Sequence, residues 1–226
     1  MGLGERIPRI YLSVSYGAIR RKTTADDPKA VERELKDKSI IHERVYQFVQ
    51  GNLENIRFWD DRDYGKSWTL DVRDGSELFA VKVMEDSRYG IDLLKKIPNL
   101  RKGSAYIFTP YDFEKDDGRR VGISIKKEGT DEKVPSYYQQ FETGTDGKTK
   151  VKNLYGFPAF EGEWKDKDDV KIYFLKLAKF LRERAMTHLT TDFLADDATA
   201  LVAAPEPEAE PGPVEPPPPI DDDLPF

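Results

Sequence analysis

Between positions 57 and 68 the chain interleaves cations with large rings: Arg57, Trp59, Arg62, Tyr64, Lys66 and Trp68. A second run follows at Tyr111, Phe113, Lys115, Arg119 and Arg120, with Arg73 and Lys82 between the two. These residue types share one chemistry. A guanidinium or ammonium group pairs with a phosphate, and an aromatic face takes a stacked base at about 1 to 3 kcal/mol each. The pattern points to nucleic acid whose bases are unpaired and free to stack on a side chain. Each member also has a plainer use. Trp68 alternates with Leu70 and Val72 and suits the core as readily as a platform, and Phe79 belongs with Val81 and Val83. Tyr64, Tyr111 and Phe113 stand among polar neighbours, where burial is harder to arrange. Any single Lys or Arg is a solvated charge by default, so it is the clustering that carries the signal.

The elements that must hold these side chains follow from periodicity. Residues 9–21 alternate Ile10, Leu12, Val14 and Tyr16 against Tyr11, Ser13 and Ser15, which predicts a half-buried strand. Asp26, Asp27 and Pro28 predict a helix start leading into a polar segment that reaches Lys38. Residues 43–59 read as a long strand with a bend or bulge at Gly51-Asn52, and the turn-like 60–66 separates it from a second strand over 67–73. Asp74-Gly75 predicts a hairpin into a third strand over 77–84. A short helix over 87–100 carries Ile91, Leu94 and Ile97 on one side, and strands over 104–111 and 121–127 flank a polar loop at 112–120. Residues 127–164 read as irregular, with an added hairpin near Asp146-Gly147.

Asp166 or Asp168 caps a last helix, which runs to about Leu189 with Val170, Phe174, Leu177, Leu181 and Ala185 as its apolar stripe. That helix suits packing onto the body. Three strands with a long bent first member, one helix, then two strands is the order of an OB-fold. The expectation is thus a mainly β, five-stranded OB barrel with an additional N-terminal strand, a helix between strands 3 and 4, and a C-terminal amphipathic helix. In that layout the two basic-aromatic runs fall at the loops joining strands one to two and four to five.

Residues 192–226 are of another character. Ten of the chain's 42 carboxylates lie there with no Lys or Arg, which leaves 36 cations against 32 carboxylates in the body, a net of about +4. Eight prolines lie between Pro205 and Pro219, and there are too few apolar residues to offset the entropy of ordering. The division expected is a folded domain over 1–191 and a disordered acidic arm over 192–226. The arm ends in Asp221, Asp222, Asp223, Leu224, Pro225 and Phe226, a charged approach to an apolar plug that suits a basic-rimmed pocket on another protein. This ending closely resembles the tip of bacterial single-stranded DNA-binding proteins and of phage proteins with the same job. The resemblance covers six residues, together with the linker and the charge asymmetry. It implies an OB-fold that coats and protects single-stranded DNA during replication, recombination or repair. It also implies that the tip docks replication and recombination enzymes such as a polymerase, helicase, primase or nuclease. A phage replication type is the nearest likeness, because the body does not resemble the usual bacterial N-terminal sequence.

Other classes are less well served. The absence of Cys excludes disulfides and thiolate chemistry, and His42 and His188, far apart, read as ordinary histidines. No secretory apolar region is present, so the expected compartment is the cytoplasm, of the host if the source is a phage. Neither a cofactor nor a resident metal is expected. The chain reads as a non-enzyme, although Asp60, Asp61 and Asp63 keep a Mg²⁺-dependent nuclease as one alternative. A protein-only OB-fold replication adaptor is the other.

Overall fold

The alternation at the start of the chain builds a hairpin and not one strand. β1 (Arg9–Ser15) and β2 (Ala18–Thr23) pair antiparallel around Tyr16-Gly17, whose φ angles are 49° and 67°. Positive φ at both central residues lets a two-residue turn follow the strand twist. The computed structural model describes residues 8–35, 37–115, 118–143, 149–162 and 166–193; Trp164 and the tail with its 221–226 tip lie outside them.

The helix expected over 26–38 is replaced by β3 (Val31–Glu34), paired with β4 (Ile40–Tyr46). Asp27, the expected cap, spends its carboxylate on the Lys29 N–H, the Thr23 hydroxyl and Arg44. The segment offers no apolar stripe to bury, and a short isolated helix in water is marginal, whereas pairing with β4 satisfies its backbone. The single strand expected over 43–59 is broken at Gln47-Phe48 into β4 and β5 (Val49–Asp61). Bend and bulge are separate within β5. Gly51 has φ 139°, and a Cβ there would lie 2.2 Å from the Arg73 carbonyl oxygen, whereas the register slips between Leu53 and Asn55.

β6 (Gly65–Asp74) and β7 (Glu77–Met84) form the hairpin that Asp74-Gly75 announces. α1 (Arg88–Leu94) follows, its Gly90 N–H donating to the Ser87 cap hydroxyl at 3.0 Å, and a 3-10 turn spans Ile97–Asn99. β8 (Ala105–Lys115) and β9 (Gly118–Lys127) pair along their whole length. The loop expected over 112–120 is therefore mostly ladder: Asp112, Phe113 and Glu114 face Val121, Arg120 and Arg119. β10 (Gln139–Thr143) and β11 (Thr149–Asn153) make a separate two-stranded sheet, and the expected reversal at Asp146-Gly147 lies outside the described residues. α2 (Lys167–His188) is capped by Asp166 and buries Val170, Leu177, Leu181 and Ala185 of the predicted stripe, whereas Phe174 is only partly buried against the core. A π-helical turn, Leu189–Phe193, ends it with the Phe193 side chain buried, two residues past the boundary expected for the body.

Nine strands share one sheet in the order β3-β4-β2-β1-β7-β6-β5-β8-β9, with β1 and β7 parallel. β4 passes directly into β5 although four strands of that order, β2, β1, β7 and β6, stand between them, so the sheet curls into a half-barrel. Leu12, Val81, Leu70 and Ile56 stand in register across β1, β7, β6 and β5 and are all buried on the core side. α1 and α2 add Leu93, Leu94, Leu177 and Leu181 to the same core. The molecule is thus mainly β with few helices, but the strand order differs from the expected barrel. The neighbour of β7 is β1, from the N-terminus, and β9, expected as the fifth strand, pairs with β8 at the edge. No helix among the described residues is long and apolar enough to cross a membrane.

Candidate nucleic-acid interface

Strand alternation that buries one row of side chains presents the next row on the opposite face. Beside the buried row Leu12-Val81-Leu70-Ile56 runs the row Ser13-Lys82-Thr69-Arg57 on the outer face of the sheet. Trp59 follows Arg57 on this face and is 51% exposed, with the Arg57 guanidinium 5.4 Å from its ring centroid. Tyr64, in the β5–β6 turn, is 71% exposed and has the Lys82 ammonium 5.8 Å from its ring. Between these groups Ser67, Thr69 and Ala80 are small and buried, so the large side chains stand above a low floor. Arg57, Trp59, Tyr64 and Lys82 thus form the part of the expected site that the fold brings together. Arg62 is exposed in the same turn as Tyr64.

The other expected residues are placed differently. Trp68 is fully buried, tilted against Phe58 at 5.1 Å, and its Nε1 donates to Glu85 Oε2 at 3.1 Å, so it offers no face to a base. Its parity with Leu70 and Val72 decided that. Lys66 shares Trp68's parity and lies off the outer face, 3.9 Å from Asp60. Arg73 is on the outer face but is engaged with Glu54. Tyr111 is half-buried, its hydroxyl pushed up to about 12 by burial and by the Asp92 charge, and its ring lies 5.7 Å from Phe113. Phe113 is exposed with the Lys115 ammonium 5.9 Å away, and Arg119 holds Asp112 through two bonds of 2.7 and 2.8 Å. Arg120 is exposed opposite Phe113.

The N-terminal hairpin touches the elements of both runs, since β1 pairs with β7 beside β6 and its turn meets Asp112. The Gly17 N–H donates to the Tyr89 hydroxyl at 2.6 Å, and a Cβ on Gly17 would lie 3.0 Å from the Asp112 Cβ. This seats the β1–β2 turn against the β8–β9 arm. Tyr11 and Tyr16, 71% and 66% exposed, are therefore part of the same surface and were missed in the sequence. Tyr11 was legible, since alternation set it opposite Ile10 and Leu12. Tyr16 was assigned to the apolar row because nothing local announced the turn that removes it.

Carboxylates organise the cations. Buried Asp71 accepts from Arg57 at 2.7 Å and lies 3.6 Å from Arg9. Buried Glu43 accepts two bonds of 2.9 Å from Arg33 and one of 3.2 Å from Arg20. Arg33's hydrogen bonds, and after them those of Arg20, hold the Glu43 carboxyl below its ordinary 4.5. A lowered carboxyl pKa contributes stability that is fully present above the unfolded value and is lost as pH falls through the folded value. Glu43→Gln is accordingly expected to lower stability by about 1 to 3 kcal/mol at pH 7. The gap from wild type should narrow as melts are taken from pH 5 down to pH 3. A gap that holds constant over that range would show that the charge of Glu43 is not what stabilises.

Comparison with family models, with curated proteins and with solved structures gives no match. The surface must be read from its own chemistry. A groove of about 370 Å³ opens on the core side of the curl, between Ile10 and Phe79, but Arg21 and Arg44 at its rim are balanced by Asp74 and Glu77. It offers an anion no net attraction. Asp61, the candidate metal ligand of a nuclease, accepts from the Asp63 and Tyr64 N–H groups at 2.9 and 3.0 Å and so shapes the turn that carries Tyr64.

Proposed function

We propose that this chain binds single-stranded DNA across the outer face of its sheet. The observation that carries the reading is the repeated pairing of an exposed ring with a cation, Trp59 with Arg57 and Tyr64 with Lys82, on one face. Exposed rings recognise bases that are free to stack, which a duplex does not offer. The face is a sheet, and α1 and α2 pack their apolar sides into the core behind it, so among the described residues the exposed rings are carried by strands and turns and not by a recognition helix. With Arg57, Arg73 and Arg119 already engaged by carboxylates, stacking supplies a larger share of affinity than charge. The curl supports an OB-type barrel in which β1 takes the place beside β7. The acidic arm is proposed to carry its 221–226 tip to replication and recombination proteins acting on the coated strand, in the cytoplasm of a cell or of a phage host.

The test is a fluorescence titration of the full chain with oligo(dT), with oligo(U) and with a matched duplex, at several salt concentrations. Oligo(dT) is expected to bind at least tenfold more tightly than the duplex. The log-log salt slope divided by about 0.7 should correspond to only a few phosphates. Equal affinity for strand and duplex, or no binding of either, would overturn the reading, and the second result would favour a protein-only adaptor.

A further inference from the structure

The β1–β2 turn holds a tyrosine where the backbone favours another residue. Both central positions of the turn have positive φ, and Asn-Gly is the pair such a turn prefers. Tyr16 at φ 49° takes the strained position, and its ring does not repay the strain by burial, since it is 66% exposed. A non-glycine residue held in the left-handed region at an exposed tip is an observed outlier of the kind that accompanies function. The surroundings are built. Arg20 and Arg33 place their guanidiniums 5.4 and 5.8 Å from the Tyr16 ring, and both are fixed by buried Glu43. The turn itself is pinned to α1 through the Gly17 N–H on the Tyr89 hydroxyl. The result is a third instance of the arrangement seen at Trp59 with Arg57 and at Tyr64 with Lys82.

We infer that Tyr16, with Arg20 and Arg33, is a second nucleotide subsite, which stacks one base on the exposed ring and draws its phosphate to the guanidiniums. The inference rests on the proposed single-strand binding and adds to it the course of the strand. From β5 to β2 the surface spans four strand spacings of about 4.8 Å, roughly 19 Å around the curl. A strand laid from Trp59 to Tyr16 covers that distance in at most about six nucleotides at 3.4 Å each. Beyond Tyr16 lies Asp112 at the β8–β9 arm, where Phe113 is exposed for the next base.

The experiment compares wild type, Tyr16→Asn and Tyr16→Phe in the full chain, using oligo(dT) of about 4 and about 15 nucleotides, within the range one such fold accommodates. Asparagine suits the turn, so Tyr16→Asn should melt no lower than wild type, and Tyr16→Gly serves as a second variant with the same backbone freedom. Tyr16→Asn is expected to weaken the long strand about fivefold, as loss of one stacked base implies, with the short strand changed less than twofold. Tyr16→Phe keeps the ring and should bind both as wild type does. If wild type binds both lengths and Tyr16→Asn equals it on the long strand, or loses no more on the long than on the short, the second subsite is wrong while strand binding stands. If wild type binds neither length, the underlying reading has failed and this inference falls with it.

Discussion

Trp59→Ala is expected to weaken oligo(dT) binding by between about fivefold and 150-fold, the loss of about 1 to 3 kcal/mol that one stacked base represents. Trp59 is half exposed at the end of β5, so its truncation opens no cavity. The stability cost should stay near the cation-π contact with Arg57, about 0.5 to 1 kcal/mol at an exposed site. Affinity and melting therefore part company, which separates a binding residue from a structural one. Trp59→Phe sharpens the test. It keeps a ring for stacking and should retain most of the affinity, yet most of the tryptophan quenching on binding should vanish. Trp68 cannot supply that signal, being sealed in the core with its indole N–H on Glu85, and any remainder belongs to Trp164. Trp59→Ala binding as tightly as wild type would remove the central platform from the proposed site.

What the sequence made legible was local. The Asp74-Gly75 hairpin, the helix after Ser87 and the Asp166 cap of α2 each rest on a few neighbouring residues whose backbone preferences agree with the fold. The Tyr16-Gly17 turn was illegible for the converse reason: tyrosine is a poor choice at positive φ, so no propensity marked it. β3 was hidden because a polar edge strand has no apolar period, and its stability comes from β4 and from Arg33 meeting Glu43 across the pair. The partner of β7 lies some seventy residues earlier in the chain, and no local pattern carries that information. Half of the candidate site was legible by type and only partly by place. The runs at 57–68 and 111–120 contain the right chemistry, but alternation sends Trp59 outward and Trp68 inward across one turn. Nor could sequence show that Arg57, Arg73 and Arg119 each meet a carboxylate, since these pairs depend on cross-strand register.

Arg182→Ala should destabilise the fold strongly, and it should leave strand affinity alone. Glu85, just past the end of β7, is 4% exposed, and its carboxylate accepts from the Trp68 indole N–H at 3.1 Å and from the Arg182 guanidinium at 2.7 Å. Removing Arg182 leaves a buried carboxylate facing one neutral donor and also strips the guanidinium 5.9 Å from the Phe58 ring. Breaking a buried pair from one side costs about 3 to 5 kcal/mol, and because Arg182 is partly exposed the lower figure, about 3 kcal/mol, is the expectation. For a body of this size that lowers the melting temperature by roughly 6 to 12 °C. Glu85→Gln in the Arg182→Ala background should recover part of the loss, because an amide still accepts from the indole and no charge is stranded. A double-mutant cycle over the two positions reads that coupling directly. Should Arg182→Ala melt within about 2 °C of wild type, α2 is not held by this pair. If the double variant is no more stable than the single one, the stranded charge is not the cause. Both outcomes are independent of the outer face, where Arg182 contributes nothing: oligo(dT) affinity measured well below the melting transition should match wild type, whereas Trp59→Ala gives the reverse pattern.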